Sequence, residues 1–252
     1  MTPVPAAAQA LQILGYLGRQ VAPVRAGAVA RDLGLPRSTT YHLLDTLQRS
    51  GFVVHLPEEQ RYGLGVAAYE LGAGYTRQAP LSRLARQPLA ALVRRTGHSA
   101  HLVVLDGRDG VYVIEERMPG RPPLVTDVGV RLPAHLTASG RAILAALTPQ
   151  QVRALYPHAA SFAARNDSSG PNSPAGLRQL LVQVRRRGYA TEDGEVTAGF
   201  ASVAAVVIDH TGHPVAAVAV TYPAREDVDL VAVVDATVRT AAEVTKRLSP
   251  GR

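Results

Sequence analysis

Arg37, Ser38, Thr39, Tyr41 and His42 crowd six consecutive positions. A guanidinium, two hydroxyls, a phenol and an imidazole are groups that hydrogen-bond phosphate oxygens and base edges. They lie along Arg37–Arg49, where Leu43, Leu44 and Leu47 share another face at helical spacing. Ser38 and Thr39 are expected on phosphates or base edges beside the helix start, where free N–H groups also favour phosphate. Arg37, Tyr41 and His42 are the sequence-reading residues, with a partly buried hydroxyl contact as the other role for Tyr41. Thr40 is assigned to the core. A second group, Thr137-Ala-Ser-Gly140, opens another helical pattern with small side chains. Its first N–H groups and the helix dipole favour an anion, which points to a carboxylate-bearing ligand.

Two further constellations carry residue types that do chemistry. His135, Ser139 and Glu192 contain the residue types of a hydrolytic triad, but no G-x-S-x-G elbow accompanies them. Glu192, Asp193 and Glu195 suggest a metal, yet no histidine pair stands at ligand spacing, and a solvated acidic turn is the reading adopted. No phosphate-binding glycine-rich loop occurs. No catalytic residue, metal site or cofactor is therefore assigned.

The first group needs a frame. Ala26–Leu33 and Arg37–Arg49 form two helical patterns joined by Gly34-Leu35-Pro36. Glycine ends the first helix and proline presets φ for the second. After Gly51, the run Phe52 to Leu64 reads as strand, polar turn, strand, with Arg61 placed to touch backbone or minor groove. Residues 6–20, with Ala10, Leu11, Leu14 and Leu17 in phase, supply a third helix. The pattern is a winged helix-turn-helix, a DNA reader that also serves elsewhere as a protein-interaction module. Residues 65–79 continue as a linker helix.

Residues 80–252 carry the second group. An amphipathic helix at 81–96 contains Pro88, expected to kink or split it. A hairpin follows over 101–115, a further strand at 123–128 and a helix from Ser139 to Leu147. Residues 158–176 read as a long loop, Leu177 to Arg187 as a helix, 201–209 and 214–222 as strands, and 227–248 as the closing helix. Helices bracketing an antiparallel sheet indicate an α+β effector domain of the GAF-like class.

At 252 residues the chain can hold two ordinary domains. It has no cysteine, which excludes disulfides and thiolate chemistry. The formal net charge is +7, but residues 1–78 carry seven arginines against five carboxylates, so the excess does not sit in the reader. No run approaches the ~20 apolar residues of a membrane span, and no signal-peptide pattern opens the chain. A cytoplasmic protein without membrane association is expected.

Taken in order, these motifs resemble the isocitrate lyase regulator (IclR) family of bacterial transcription factors over roughly residues 8–248. The resemblance rests on Gly34-Leu-Pro-Arg-Ser-Thr39, Gly51-Phe-Val with Arg61-Tyr-Gly-Leu64, and Leu102-Val-Val-Leu-Asp-Gly107. It continues through Gly129-Val-Arg-Leu-Pro-Ala-His135, Thr137-Ala-Ser-Gly-Arg-Ala-Ile-Leu144, Val184-Arg-Arg-Arg-Gly-Tyr189, and Asp193-Gly-Glu195 with Gly199-Phe-Ala-Ser-Val-Ala-Ala205. It implies a winged helix that dimerises on a palindromic operator and a C-terminal domain that binds a small metabolite and supports tetramers. Matching the family's pocket implies Leu124, Ala138, Ser139, Glu192, Phe200, Ser202, Ala219 and Thr221 as effector residues, joined by Gly140 from the helix start. Leu124 and Phe200 would form apolar wall, Ser139, Ser202 and Thr221 would offer hydroxyls, and Glu192 would accept from an effector hydroxyl. The sequence departs from the family at Arg25, where a Ser or Thr helix cap is usual, at His42, often Arg, and at Ser202, often Cys. Residues 158–176 also fit poorly. The expectation is a non-enzymatic, effector-modulated regulator that binds double-stranded operator DNA as a dimer or tetramer. The other readings are a metabolite-binding or protein-interaction protein without specific DNA binding, and a hydrolase.

Overall fold

The computed structural model describes residues 4–78, 80–120, 126–162 and 170–248. The chain folds as two compact units, Met1–Gln78 and Ala79–Arg252.

The first unit contains α1 (Pro5–Leu17), α2 (Ala26–Leu33), α3 (Arg37–Arg49), the hairpin β1 (Val53–Leu56) and β2 (Arg61–Leu64), and α4 (Val66–Gln78). Gly34 ends α2 in the left-handed region at φ 64°, and Pro36 precedes α3 in extended backbone. Ile13, Leu17, Val29, Leu44, Leu47 and Val53 bring three helices and the hairpin into one core. Thr40 is wholly buried, and its hydroxyl returns to the carbonyl oxygen of Pro36 at 3.0 Å. Gly65 stands where a Cβ would overlap the carbonyl of Gly51, so the exit from the wing admits only glycine. The expected linker segment is α4, which belongs to this unit and leaves Tyr69 and Leu71 exposed.

The second unit is an α+β fold with α5 (Pro80–Thr96), β3 (Ser99–Asp106), β4 (Asp109–Glu116), β5 (Arg131–Pro133), α6 (Ala138–Ala146), α7 (Pro149–Leu155), α8 (Pro174–Arg187), β6 (Ala190–Asp193), β7 (Phe200–Ile208), β8 (Pro214–Pro223) and α9 (Leu230–Leu248). Six strands pair antiparallel in the order β5-β4-β3-β8-β7-β6. Alternation sends Ala216, Val218 and Val220 of β8 toward α5 and α9, and Ala217 and Ala219 toward α6 and α8. Both faces are covered, so β8 reads as an unbroken apolar run rather than alternating polar and apolar residues. Alanine on the α6 face leaves room for α6, which is buried from Ala138 through Ala145.

Several expectations are corrected. Pro88 does not split α5. Ala85, Leu89, Leu92 and Val93 anchor the helix on both sides of the proline, and the carbonyl of Leu84, which Pro88 cannot bond, accepts from Arg247 at 3.4 Å. The strand expected at 123–128 is not formed at 126–128, and 121–125 lie outside the described residues; the edge strand is β5 instead. Helix α8 begins three residues early because Ser173 caps it and Pro174 occupies its first position. The acidic turn is in part a strand, β6.

Helix α2 has Arg25 at its cap position with φ −74°, ψ 145° and no side-chain cap. Serine at that backbone geometry accepts a first-turn N–H, so Arg25→Ser is expected to stabilise the first unit by about 1 kcal/mol, measured by denaturant unfolding.

Candidate functional sites

On α3 the apolar and polar faces are cleanly divided. Leu44 and Leu47 point into the core, while Arg37, Ser38, Tyr41 and His42 are exposed and Thr39 is half-buried. Pro36 offers no side-chain acceptor at the helix start. The first-turn N–H groups, which have no intrahelical acceptor, therefore stand open beside Ser38 and Thr39. Arg61 lies elsewhere: its Nη1 donates to the carbonyl of Pro23 at 2.9 Å and its Nε stands 3.7 Å from Glu59. With a bridge between Val24 and Tyr62, it braces the wing against the α1–α2 connection. Glu58 and Glu59 make the wing turn acidic, a poor surface for phosphate.

In the second unit, seven of the expected effector residues line one cavity: Ala138, Ser139, Glu192, Phe200, Ser202, Ala219 and Thr221. Leu124 lies outside the described residues. Gly140 does not line the cavity. Its N–H is taken by the Thr137 hydroxyl at 2.9 Å, and a Cβ there would overlap the backbone of Ala134. Gly140 is thus required for close packing of α6. Tyr112, Thr126, Thr137, Val196 and Thr197 complete the described lining. Thr137 opens the group at the start of α6 and Tyr112 lies in the expected hairpin, whereas no periodic signal marks Thr126, Val196 and Thr197, which lie outside helices and strands.

Strand register builds the polar wall. Glu192 of β6 pairs with Ser202 of β7, Ser202 with Thr221 of β8, and Thr221 with Ser99 of β3, so four polar side chains form a row across the sheet. The hydroxyls of Ser202 and Thr221 lie 3.0 Å apart. Glu192 is buried and its Oε1 accepts from the N–H of Val196 at 3.0 Å. Burial raises its pKa above the ordinary carboxylate value; hydrogen bonds from Val196 and Ser202 offset part of that rise. The same cavity is lined by Ala138 and Ser139, whose first-turn N–H groups have no intrahelical acceptor. Among the described lining residues there is no arginine, lysine or histidine.

Arg141 is the residue that sequence reading missed. It is buried, donating from Nε to the His135 carbonyl at 2.9 Å, from Nη1 to the Thr191 carbonyl at 2.8 Å, and from Nη2 to Glu195 at 2.8 Å. Its signal was a lone guanidinium in an otherwise small and apolar helix, which demands buried partners. His101, also buried, lies 2.9 Å from the Thr126 hydroxyl and fixes that edge of the lining. The suspected triad is not assembled: His135 packs edge-on against Tyr156 and Phe162 and faces a different groove from Ser139 and Glu192.

A helix-turn-helix unit with an open reading helix, followed by an α+β unit enclosing a polar cavity, defines a ligand-sensing DNA-binding regulator. The IclR helix-turn-helix domain matches residues 6–57, and the bacterial transcriptional regulator IclR C-terminal domain matches residues 73–245. The chain belongs to the IclR family. It is 33% identical over 218 residues to the HTH-type transcriptional regulator XynR of Escherichia coli K12, covering 83% of this chain and 82% of that protein. It is 30% identical over 215 residues to the transcriptional repressor IclR of the same organism, covering 84% and 78%. An IclR transcriptional regulator structure from Alicyclobacillus acidocaldarius superposes with a TM-score of 0.85 at 26% identity, over 98% of this chain and 99% of that one. The relatives are transcriptional regulators, not enzymes, and the hydrolase reading is set aside. Among the described residues no helix is long and apolar enough to cross a membrane.

Because the folded chain holds the Glu192 proton more tightly than the unfolded chain does, its contribution to stability is full below pH 4.5 and falls as pH rises through the raised pKa. Glu192→Gln is therefore expected to exceed the parent in stability at neutral pH. The difference should close toward pH 4.5 and below, as read by urea midpoints across that range.

Proposed function

We propose that α3 reads a two-fold symmetric operator as part of a homodimer, and that the cavity beside α6 takes a small carboxylate-bearing effector that changes operator affinity. The observation that carries this reading is the convergence of seven family-implied effector residues on one cavity at a helix start. The carboxylate would meet the N–H groups of Ala138 and Ser139, a ligand hydroxyl would face Glu192, Ser202 and Thr221, and an apolar portion would rest on Phe200 and Ala219. On DNA, Arg37, Tyr41 and His42 would meet base edges while Ser38 and Thr39 hold phosphate. Val66, Tyr69 and Leu71 of α4 and Leu11 of α1, each about two-thirds exposed or more, support burial against a second copy. Effector binding shifts the equilibrium between arrangements of the dimer only by its differential affinity for them, with α4 as the connecting element. A cytoplasmic location follows from a role on chromosomal DNA.

Capture of sheared genomic DNA should yield a few two-fold symmetric sites; uniform, salt-labile retention refutes the operator reading. On a captured site, Arg37→Ala and His42→Ala are each expected to lose about 1–3 kcal/mol of discrimination, and Ser38→Ala to weaken all sequences alike. A panel of small hydroxy and aromatic acids should shift affinity in the parent and not in Ser202→Val. Unchanged affinity with every acid counts against a carboxylate effector.

A further inference from the structure

The cavity holds about 20 Å³, room for about one ordered water. An organic acid needs more room than the described residues leave there. Most of the described wall is rigid, since β7 and β8 are backed by the cluster holding Val203, Val218 and Val220, and α6 packs through Leu144 with Leu177 and Leu181 of α8. Thr137 is fixed as the cap of α6, and Thr126 is tied to buried His101. Val196 and Thr197 differ, because they sit on residues 194–199, a connection with neither helix nor strand.

That connection begins and ends in left-handed glycines, Gly194 at φ 77° and Gly199 at φ 82°. A Cβ at either position would meet nothing within 4 Å, and what holds the two ends is backbone: the Gly194 N–H donates to the Phe200 carbonyl and the Gly199 carbonyl accepts from the Ala224 N–H, each at 2.9 Å. Between them, side-chain and backbone contacts hold the segment down, including a bond from the Phe200 N–H to the Thr197 carbonyl at 3.1 Å. Glu195 pairs with Arg141 at 2.8 Å, the Val196 N–H reaches Glu192 at 3.0 Å, and the Val196 side chain packs with Val103, Tyr112 and Leu132. Arg141 is an immobile anchor, held independently by the carbonyls of His135 and Thr191. Glu195 is the less buried partner and rides on the connection itself, its other carboxylate oxygen accepting from the Asp193 N–H at 2.5 Å.

We propose that residues 194–199 are the cover of the effector cavity and that Arg141 and Glu195 are the positioning pair that holds it closed, thereby setting how readily an effector is admitted. The inference rests on the cavity being the effector site, but its test needs no effector. The chain has no cysteine, so a single introduced thiol is an unambiguous reporter. In the full-length protein, Ser202→Cys places a thiol on the cavity wall, and Ala216→Cys places one on the opposite, fully buried face of the sheet. Each is labelled with methyl methanethiosulfonate, with Glu195 intact and as Glu195→Ala.

Breaking the pair should speed labelling at Ser202→Cys by about tenfold or more and leave Ala216→Cys unchanged, with Glu195→Gln intermediate. No acceleration at Ser202→Cys, or equal acceleration at both thiols, overturns the proposal, the second because it reports global rather than local opening. Acceleration confined to Ser202→Cys supports the cover even where no carboxylate retards labelling, and that failure to retard would count against the effector reading alone.

Discussion

Removing a guanidinium from water costs several kcal/mol, and Arg141 recovers that cost by giving its donors to two carbonyls and a carboxylate. The three acceptors lie on different pieces of chain: the segment leading into α6, the edge strand β6, and the turn after it. One side chain thereby ties together the helix start, the strand bearing Glu192 and the connection that closes the cavity. Gly140 makes this geometry accessible, because only a residue without a Cβ lets α6 approach the backbone of Ala134. The cavity is polar on one wall because register aligns Glu192, Ser202 and Thr221.

The reading unit follows a different economy. Its core is small, and each helix contributes only a few fully buried side chains, with Leu44 and Ile13 worth roughly 1.5–3 kcal/mol each. Thr40 sits inside that core among the polar residues of α3, so the outward set is Arg37, Ser38, Tyr41 and His42 with Thr39 at its margin. Arg61 shows how a charge in a DNA-binding unit can be structural: its guanidinium joins the wing to Pro23 beside an acidic turn.

Much of the fold was legible because periodicity was strong where burial is one-sided. Helices α3, α5 and α9 announced themselves through apolar stripes, and β3, β4, β7 and β8 through apolar runs bounded by Gly/Asp turns. Pro88 misled because local propensity says nothing of Arg247, which supplies the hydrogen bond that proline removes. Strand β6 was hidden because its four residues carry two carboxylates, one of which is buried in the fold.

The sequence by itself determined the two-part organisation, the helix-turn-helix, the family, and most of the residue types around the cavity. These rest on local spacing and on ordered motifs, which one dimension records. The tertiary structure alone decided that Arg61 braces the wing, that Gly140 packs rather than binds, and that Arg141 and Glu195 meet across 54 residues. Such pairings depend on strand register and close backbone approach, and neither is written in the neighbourhood of any one residue.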